Sequence, residues 1–407
     1  MDSTPPPKRA VAAVFAGFLG WSLDAFDFFI VVMTLTHIGK EFHKTDTEMA
    51  LAVTLTLAFR PVGALIFGLI ADRYGRRLPL MIDLIFYSII EVLSGLAPNF
   101  TTFLILRALF GIGMGGEWGV GASLTMEKIP PRLRGILSGL LQEGYAFGYL
   151  LAAVAYKFVF PHYGWRPLFF IGGLPAILAV FVRFGVSESE VWQKNKADSW
   201  QNLFRGLIAH WPIFFYLVLL MTMMNLSSHG TQDLYPTFLQ RYRGFGVAEK
   251  SNLAAISMIG AIFGGIVFGL LSDRIGRRNA MMLAFAGALM AIPLWALPST
   301  IGKLAAGAFL LQFMVQGAWG IIPAHISELS PDSIRGSMPG FAYQCGNLMA
   351  SYIMIIETVS ARHWNYALVM AVSAGTIAVM AMIVTAVGPE KRGVVFGGDN
   401  SQELTAT

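Results

Sequence analysis

The residues Asn225, Ser228, His229, Thr231, Gln232 and Asp233 stand in a stretch otherwise apolar enough to be lipid-facing helix. On a helix, Asn225, His229 and Asp233 recur at i, i+4 and i+8, so they share one face, with Gln232 beside them. Polar and ionisable groups at membrane depth are costly, so a row of them points to a functional site. A neutral His229 would bond Asp233 or a substrate hydroxyl, and a protonated one would offer a cation. A small carboxylate needs a fixed cation in a dry cavity. Arginine suits it, because the guanidinium stays charged and forks onto both oxygens. Only Arg60 and Arg107 lie deep in apolar stretches.

The elements that must position these groups are transmembrane helices. The 407 residues are 55% hydrophobic and only 13% charged, against roughly 25% charged in a soluble domain. The 43 glycines suit close helix packing in a bilayer. Apolar stretches able to span a core about 30 Å thick fall at 10–38, 47–71, 78–97, 100–126, 134–158, 164–184, 210–239, 249–272, 279–298, 301–327, 336–358 and 363–387. The fold class is therefore all-α, with twelve transmembrane helices. Residues 1–9 are a tail, 10–184 the first six-helix bundle, 185–209 a linker, 210–387 the second bundle and 388–407 a second tail. The linker carries Trp192, Trp200 and Phe204, which suit a surface-lying amphipathic helix. Loops on the side of the termini hold roughly twice the Lys and Arg of the opposite loops, which puts both termini in the cytoplasm. The +5 net charge is scattered through short loops, not gathered on one basic face, so nucleic-acid binding is excluded. The single cysteine, Cys345, excludes an internal disulfide framework. No metal-ligand spacing, nucleophile elbow or phosphate loop is present, so no enzyme, metal or cofactor is expected.

The chain repeats itself at an offset of 201 residues. Gly68-Leu-Ile-Ala-Asp72-Arg73-Tyr-Gly75-Arg76-Arg77 returns as Gly269-Leu-Leu-Ser-Asp273-Arg274-Ile-Gly276-Arg277-Arg278. Glu127 and Arg134 return as Glu328 and Arg335, and Trp118-Gly119 as Trp319-Gly320. Two six-helix halves of one design follow from this. The repeated charges sit at helix ends, where ion pairs between Asp72, Arg73, Arg76, Glu127 and Arg134 and their twins can close a gate and break as the halves rock.

Arg60 has Ala261 as its repeat partner, so its charge belongs to one half only. It is the expected substrate anchor; the alternative is a permanent ion pair with an acid of the first or eleventh span. Asp24 and Asp27 are i, i+3 and can both face the cavity, and Asp24 maps onto Asn225. A buried Asp loses its charge by desolvation and regains it beside an Arg, so these acids can couple a proton to an anion at Arg60. Glu143, which maps onto Gln344, is a further proton-coupling candidate. Gln316, with Gln312 and His325, could also line the cavity; interhelical hydrogen bonding is the alternative for these. Asp83, Glu91 and Glu357 read as interfacial or structural. Pro236, Pro323 and the fourth-span glycines read as sites of bending or close approach.

The repeated Gly-x-x-x-Asp-Arg-x-Gly-Arg-Arg loop resembles the best-known signature of the major facilitator superfamily, and Arg107-Ala-Leu-Phe-Gly111-Ile-Gly113-Met-Gly115 resembles its fourth-helix motif. The row Asn225, Ser228, His229, Thr231, Gln232, Asp233 and Thr237 resembles the seventh-helix signature of proton-coupled lactate and pyruvate permeases, whose bacterial relatives are grouped with sialate:proton symporters. Trp21-Ser-Leu-Asp24-Ala-Phe-Asp27 is similar to that group too. Gly144-Tyr-Ala-Phe-Gly148 stands where drug:proton antiporters carry Gly-Pro-x-x-Gly-Gly. The resemblance implies proton-coupled symport of a short monocarboxylate by alternating access, with substrate held by Arg60, Asn225, Ser228, His229, Gln232 and Gln316. Coupling would fall to Asp24, Asp27, Arg107, Glu143 and Asp233; in related sugar porters the Arg107 position pairs with an acid of the first helix, here Asp27, and a structural brace is the alternative role for Arg107. The expected partners are a small organic anion, protons and the bilayer of a bacterial inner membrane, with the protein working as a monomer. A larger acid, such as a sialate or sugar acid, is the alternative substrate. A transporter-like nutrient sensor is the alternative class, though nothing resembles a signalling domain.

Overall fold

A long apolar segment in a bilayer must satisfy its backbone internally, and a helix does so within one segment. The computed structural model describes residues 8–397 except 197–198, 236–237, 240–241 and 362, and all regular structure among them is helical. Pro236 and Thr237 lie outside the described residues, as do nearly all of the first tail and the last ten residues.

Twelve crossings follow in chain order. They are α1 (Lys8–Glu41), α2 (Asp46–Tyr74), α3 (Arg77–Gly95), α4 (Phe100–Lys128), α5 (Arg134–Gln142 and Gly144–Tyr163) and α6 (Arg166–Ile171 and Pro175–Gly185). After the linker come α7 (Trp211–Gln232), α8 (Val247–Ile275), α9 (Arg277–Ala296), α10 (Ile301–Leu329), α11 (Met338–Ala350 and Ile353–Ser360) and α12 (Tyr366–Val387). Nine described helices are long and apolar enough to cross a membrane. The three crossings built from two pieces, α5, α6 and α11, were expected as unbroken spans. In α6 the break falls at Gly172 and Gly173, poor helix formers, just before Pro175, which lacks an amide donor.

The linker holds two helices, Glu190–Asn195 and Trp200–Ala209. Trp192 is turned inward, its indole donating to the Asp72 carbonyl (2.8 Å), while Trp200 and Phe204 are exposed.

The repeat extends to helix ends. At the start of α2 the Glu48 carboxylate accepts from the Thr45 amide (2.9 Å), and at the start of α8 Glu249 accepts from the Gly246 amide (2.8 Å). A hydrogen bond from Lys44, then one from the Thr45 backbone, holds the exposed Glu48 carboxyl down at about 2. α2 and α8 both end at a glycine with positive φ, Gly75 (108°) and Gly276 (98°), a conformation other residues rarely adopt. The next helices are capped from afar: Glu188 accepts from the Arg76 and Arg77 amides (3.0 and 3.1 Å), and Glu390 from the Arg278 amide (2.9 Å).

Each half has its own apolar core. The halves meet chiefly through the first piece of α5 against α8 and α10, and the first piece of α11 against α2 and α4. The second piece of α11 packs on α7 and α12 of its own half. The crossings are tight: a Cβ on Gly119 would lie 2.6 Å from the Gly340 Cα, and one on Gly269 would lie 2.5 Å from the Gly135 carbonyl. The molecule is thus closed at the end that carries the repeated loops.

Candidate functional site

Between the halves, the first bundle presents Arg60. Its side chain is 4% exposed and its Nε and Nη2 have no hydrogen-bond partner among the described residues. Gly115 of α4 places it: a Cβ there would lie 1.9 Å from the Arg60 carbonyl, so only glycine lets α4 approach that turn of α2. The guanidinium lies over the Tyr343 ring of α11 (5.8 Å). Around it is an aromatic floor. Trp21 stacks on Tyr145 (5.5 Å), while Trp118 and Trp319 pack against Tyr343 (4.6 and 5.6 Å). Phe29 and Tyr149 continue it (4.6 Å). The Arg60 charge bears on Asp24, Glu117 and His229. Asp24 is fully buried, with neither carboxylate oxygen hydrogen-bonded among the described residues.

The second bundle presents hydrogen-bonding groups, most of them tied across its helices, and one ionisable pair, His229 with Asp233. The Asn225 amide donates to the Met221 carbonyl (2.7 Å), and Gln316 of α10 donates to the Ser228 hydroxyl (3.2 Å). Gln232 donates to Gln312 (2.8 Å), which donates to the Thr231 hydroxyl (3.0 Å). His229 has Nδ1 2.9 Å from an Asp233 carboxylate oxygen and Nε2 3.1 Å from Asn347 Oδ1. With oxygen at both nitrogens the imidazole suits its protonated form; a neutral ring requires Asn347 to turn its amide nitrogen inward. α7 ends at Gln232, with Asp233 as its C-cap, but the Asp233 amide still bonds the His229 carbonyl (3.1 Å), so the one-turn spacing holds. Asn347 and Gln312 were not singled out as part of the seventh-helix row; their partners across helices show the connection.

Several residues stand elsewhere than expected. Arg107 does not pair with Asp27. It bonds Glu91 (2.6 Å) and Ser94 of α3 and lies over the Phe110 ring (4.6 Å). Glu91 is therefore a buried partner of Arg107, which fits the structural one of its two readings, interfacial or structural. Asp27 turns toward α3 and α6: a Cβ on Gly172 would sit 2.5 Å from its Oδ1. One turn along α1 from Asp24, it faces the bundle interior instead of Arg60. Glu143 packs on α8 at the contact between halves, where a Cβ on Gly265 would lie 2.0 Å from its Oε1. His325 is fully buried, with both ring nitrogens unpartnered among the described residues, in reach of the Arg277 charge. That places it toward the loop end, away from Arg60. Glu357 accepts from Ser373 of α12 (2.8 Å). Sequence reasoning passed over Glu117, a buried acid of α4; its signal was an acid between glycines in an apolar span.

The loop charges form two twin clusters. Asp72 accepts from the Gly336 and Ser337 amides across the halves (2.7 and 2.9 Å), and Asp273 accepts from the Gly135 and Ile136 amides (2.9 and 3.1 Å). Arg76 pairs with Asp72 (2.5 Å) and Glu127 (3.1 Å); Arg277 pairs with Asp273 (2.7 Å) and Glu328 (3.0 Å). Arg134 crosses to Glu328 (3.0 Å) and Arg335 to Glu127 (3.7 Å). Arg73 lies over the Tyr74 ring (5.6 Å), and Arg274 gives its carbonyl to Arg392 (2.7 Å).

Residues 12–354 match the family described as Major Facilitator Superfamily. The chain is 30% identical to a carboxylic acid transporter protein homolog of Saccharomyces cerevisiae, over 93% of this chain and 68% of that protein. It is 29% identical to the sialic acid transporter NanX of Escherichia coli, over 96% of each. Its fold matches the proton:xylose symporter XylE bound to 6-bromo-6-deoxy-D-glucose, with a TM-score of 0.79 at 17% identity, covering 97% of this chain and 98% of that one.

Proposed function

The chain belongs to the major facilitator superfamily, and within that family of transporters we propose that it performs proton-coupled symport of a short monocarboxylate, of the lactate or pyruvate class, by alternating access. The observation that carries this is Arg60: a buried guanidinium with unsatisfied donors, beside unpartnered acids and opposite a wall of amides, a hydroxyl and an imidazole. An unpaired charge in a dry site is costly, and a carboxylate with matching geometry relieves it. Asn225, Ser228, Gln232 and Gln316 then bond the substrate's remaining oxygens. The cation–anion pair moves no net charge through low dielectric only if a proton travels with the anion, which suits the acids around Arg60. Asp24, Asp27, Glu143 and Asp233 are the candidate acids that the sequence offers for that proton. Of these, Asp24 feels the Arg60 charge, while Asp27 stands with Glu91 and feels the Arg107 charge. The twin loop clusters form the inner gate, with both termini in the cytoplasm of a cell whose inner membrane the protein spans.

A second reading, a larger acid such as a sialate, is favoured by the similarity to NanX over the full length of both chains. Proteoliposomes under an inward proton gradient separate the two. Labelled lactate should accumulate and compete with pyruvate. Accumulation of sialate but not lactate selects the second reading, and gradient-independent flux of either removes proton coupling.

A further inference from the structure

Glu117 lies in α4 and is 1% exposed, and its Oε2 has no hydrogen-bond partner among the described residues. Its carboxylate fills a recess in α1 that only a glycine leaves open: a Cβ on Gly20 would sit 2.2 Å from Oε1. The ionisable groups within electrostatic reach of it are Asp24 from α1, Arg60 from α2, and Asp83 and Tyr87 from α3. The neighbouring Trp118 bonds Gln142 of α5 (3.3 Å) and packs on Tyr343 of α11, which itself meets Trp319 of α10. Asp24 and Asp83 are also buried and unpartnered. One guanidinium, itself unpartnered at Nε and Nη2, cannot neutralise three dry carboxylates, so protons must share the work.

We propose that Glu117 is the group that binds the transported proton, coupled to the substrate anion by competition for Arg60. This rests on the symport reading above. An anion docking on Arg60 withdraws the positive charge from the Glu117 carboxylate, which then takes a proton; release of the anion returns the charge and expels it. α4 is also well placed to feel the rocking halves, because Gly119, half a turn from Glu117, touches Gly340 across the interface.

The test uses the full chain in proteoliposomes. Glu117→Gln should keep substrate counterflow within about twofold of wild type yet lose gradient-driven accumulation and the pH dependence of KM. Gly20→Ala, which removes no titratable group, should shift that pH profile, and Glu117→Asp should restore part of the coupling. A Glu117→Gln variant that still accumulates substrate overturns the assignment while leaving symport intact. Loss of counterflow together with accumulation, in folded protein, makes Glu117 structural and also overturns it. Absence of gradient-driven uptake in wild type overturns both.

A different observation carries a second inference. The Phe396 ring lies between two guanidiniums, Arg134 at 3.7 Å and Arg335 at 3.8 Å. These arginines are repeat twins, and each crosses to an acid of the other half. Phe396 therefore sits where the twin gates meet. The chain around it is tied down on both sides. The Val394 carbonyl accepts from Arg134 (3.0 Å), the Gly397 amide donates to Asp332 (2.7 Å), and Arg392 donates to the Arg274 carbonyl (2.7 Å). Phe396 belongs to a small apolar cluster that includes Val191, with Leu133 and Leu137 packed against it.

We infer that residues 388–397 are a strap that holds this end of the molecule closed. The ring favours both arginines where they stand, so it stabilises the closed gate over the open one. Ser138 reports on the gate: it is fully buried and its hydroxyl accepts from the Ala324 amide across the halves (2.9 Å). In a Cys345→Ser background, a thiol introduced by Ser138→Cys should be alkylated about fivefold faster or more once Phe396→Ala is added. Phe396→Tyr, which keeps the ring, should leave the rate unchanged. Equal rates in the alanine variant and its parent, with both monodisperse, overturn the strap.

Discussion

The two halves share one scaffold and differ in where they keep charge. The first buries Asp24, Asp27, Asp83, Glu91, Glu117, Arg60 and Arg107 inside its bundle. At the repeat-equivalent positions the second has Asn225, Ser228, Ala284, Ile292, Ala318, Ala261 and Ala308. The gate is different: Asp72, Arg76, Glu127 and Arg335 are matched one for one by Asp273, Arg277, Glu328 and Arg134, with closely similar cross-half contacts. If these clusters are the gate, as proposed, the parts that must move symmetrically have been kept twice. On the proposed reading, the parts that do chemistry have been divided, with the guanidinium anchor and the buried acids around it in one half and the hydrogen-bonding wall, with its His229–Asp233 pair, in the other.

The largest expected effect falls on the charged half. Arg60→Lys keeps a cation but loses the fork onto two oxygens, and should cut proteoliposome uptake about a hundredfold or more without unfolding the protein. Near-normal uptake would remove Arg60 as the anchor and leave the halves chemically undistinguished.

The gate comes next. Asp72→Asn and Asp273→Asn each weaken a carboxylate's hold on two amides across the halves, and each should change turnover about tenfold. The two effects should agree within about threefold if the clusters are mechanical twins. A large effect from one and none from the other breaks the symmetry.

The hydrogen-bonding wall should respond more mildly. Gln232→Ala removes one hydrogen bond that the second half makes within itself and could lend to substrate, so KM should rise about threefold to tenfold. An effect as large as that of Arg60→Lys would mean the second half carries more than orientation.

Smallest is the helix cap. Thr45→Ala should lower stability by about 1 kcal/mol, while Thr45→Gly, which copies Gly246 at the start of α8, should cost only about a few tenths. Thermal unfolding in detergent checks both, and transport should not change.

The twin loop clusters were legible because glycine and charge recur at one offset, and a repeated loop signature survives without any alignment. The polar face of α7 was legible because hydrophilic residues at helical spacing stand out in apolar surroundings. The rotation of α1 was not legible. Asp24 and Asp27 lie about 60° apart around a helix, so either could meet Arg60, and packing of Gly172 and Glu91 decides that Asp27 faces inward. Arg107 was assigned to Asp27 by resemblance, whereas Glu91 lies closer across α3. Glu117 has no twin and no spacing partner in the sequence; only the fold brings it against Gly20 and Arg60. The contact of Phe396 is less legible still, because a single aromatic in a short polar tail carries no periodicity.

The central claim is that anion and proton bind together in the charged half. Proton uptake by purified protein in lightly buffered solution tests it most directly. Adding substrate to wild type should raise the pH by an amount equal to about one proton bound per substrate, and Arg60→Lys should show no rise. Substrate binding by wild type with no accompanying proton uptake would contradict the account.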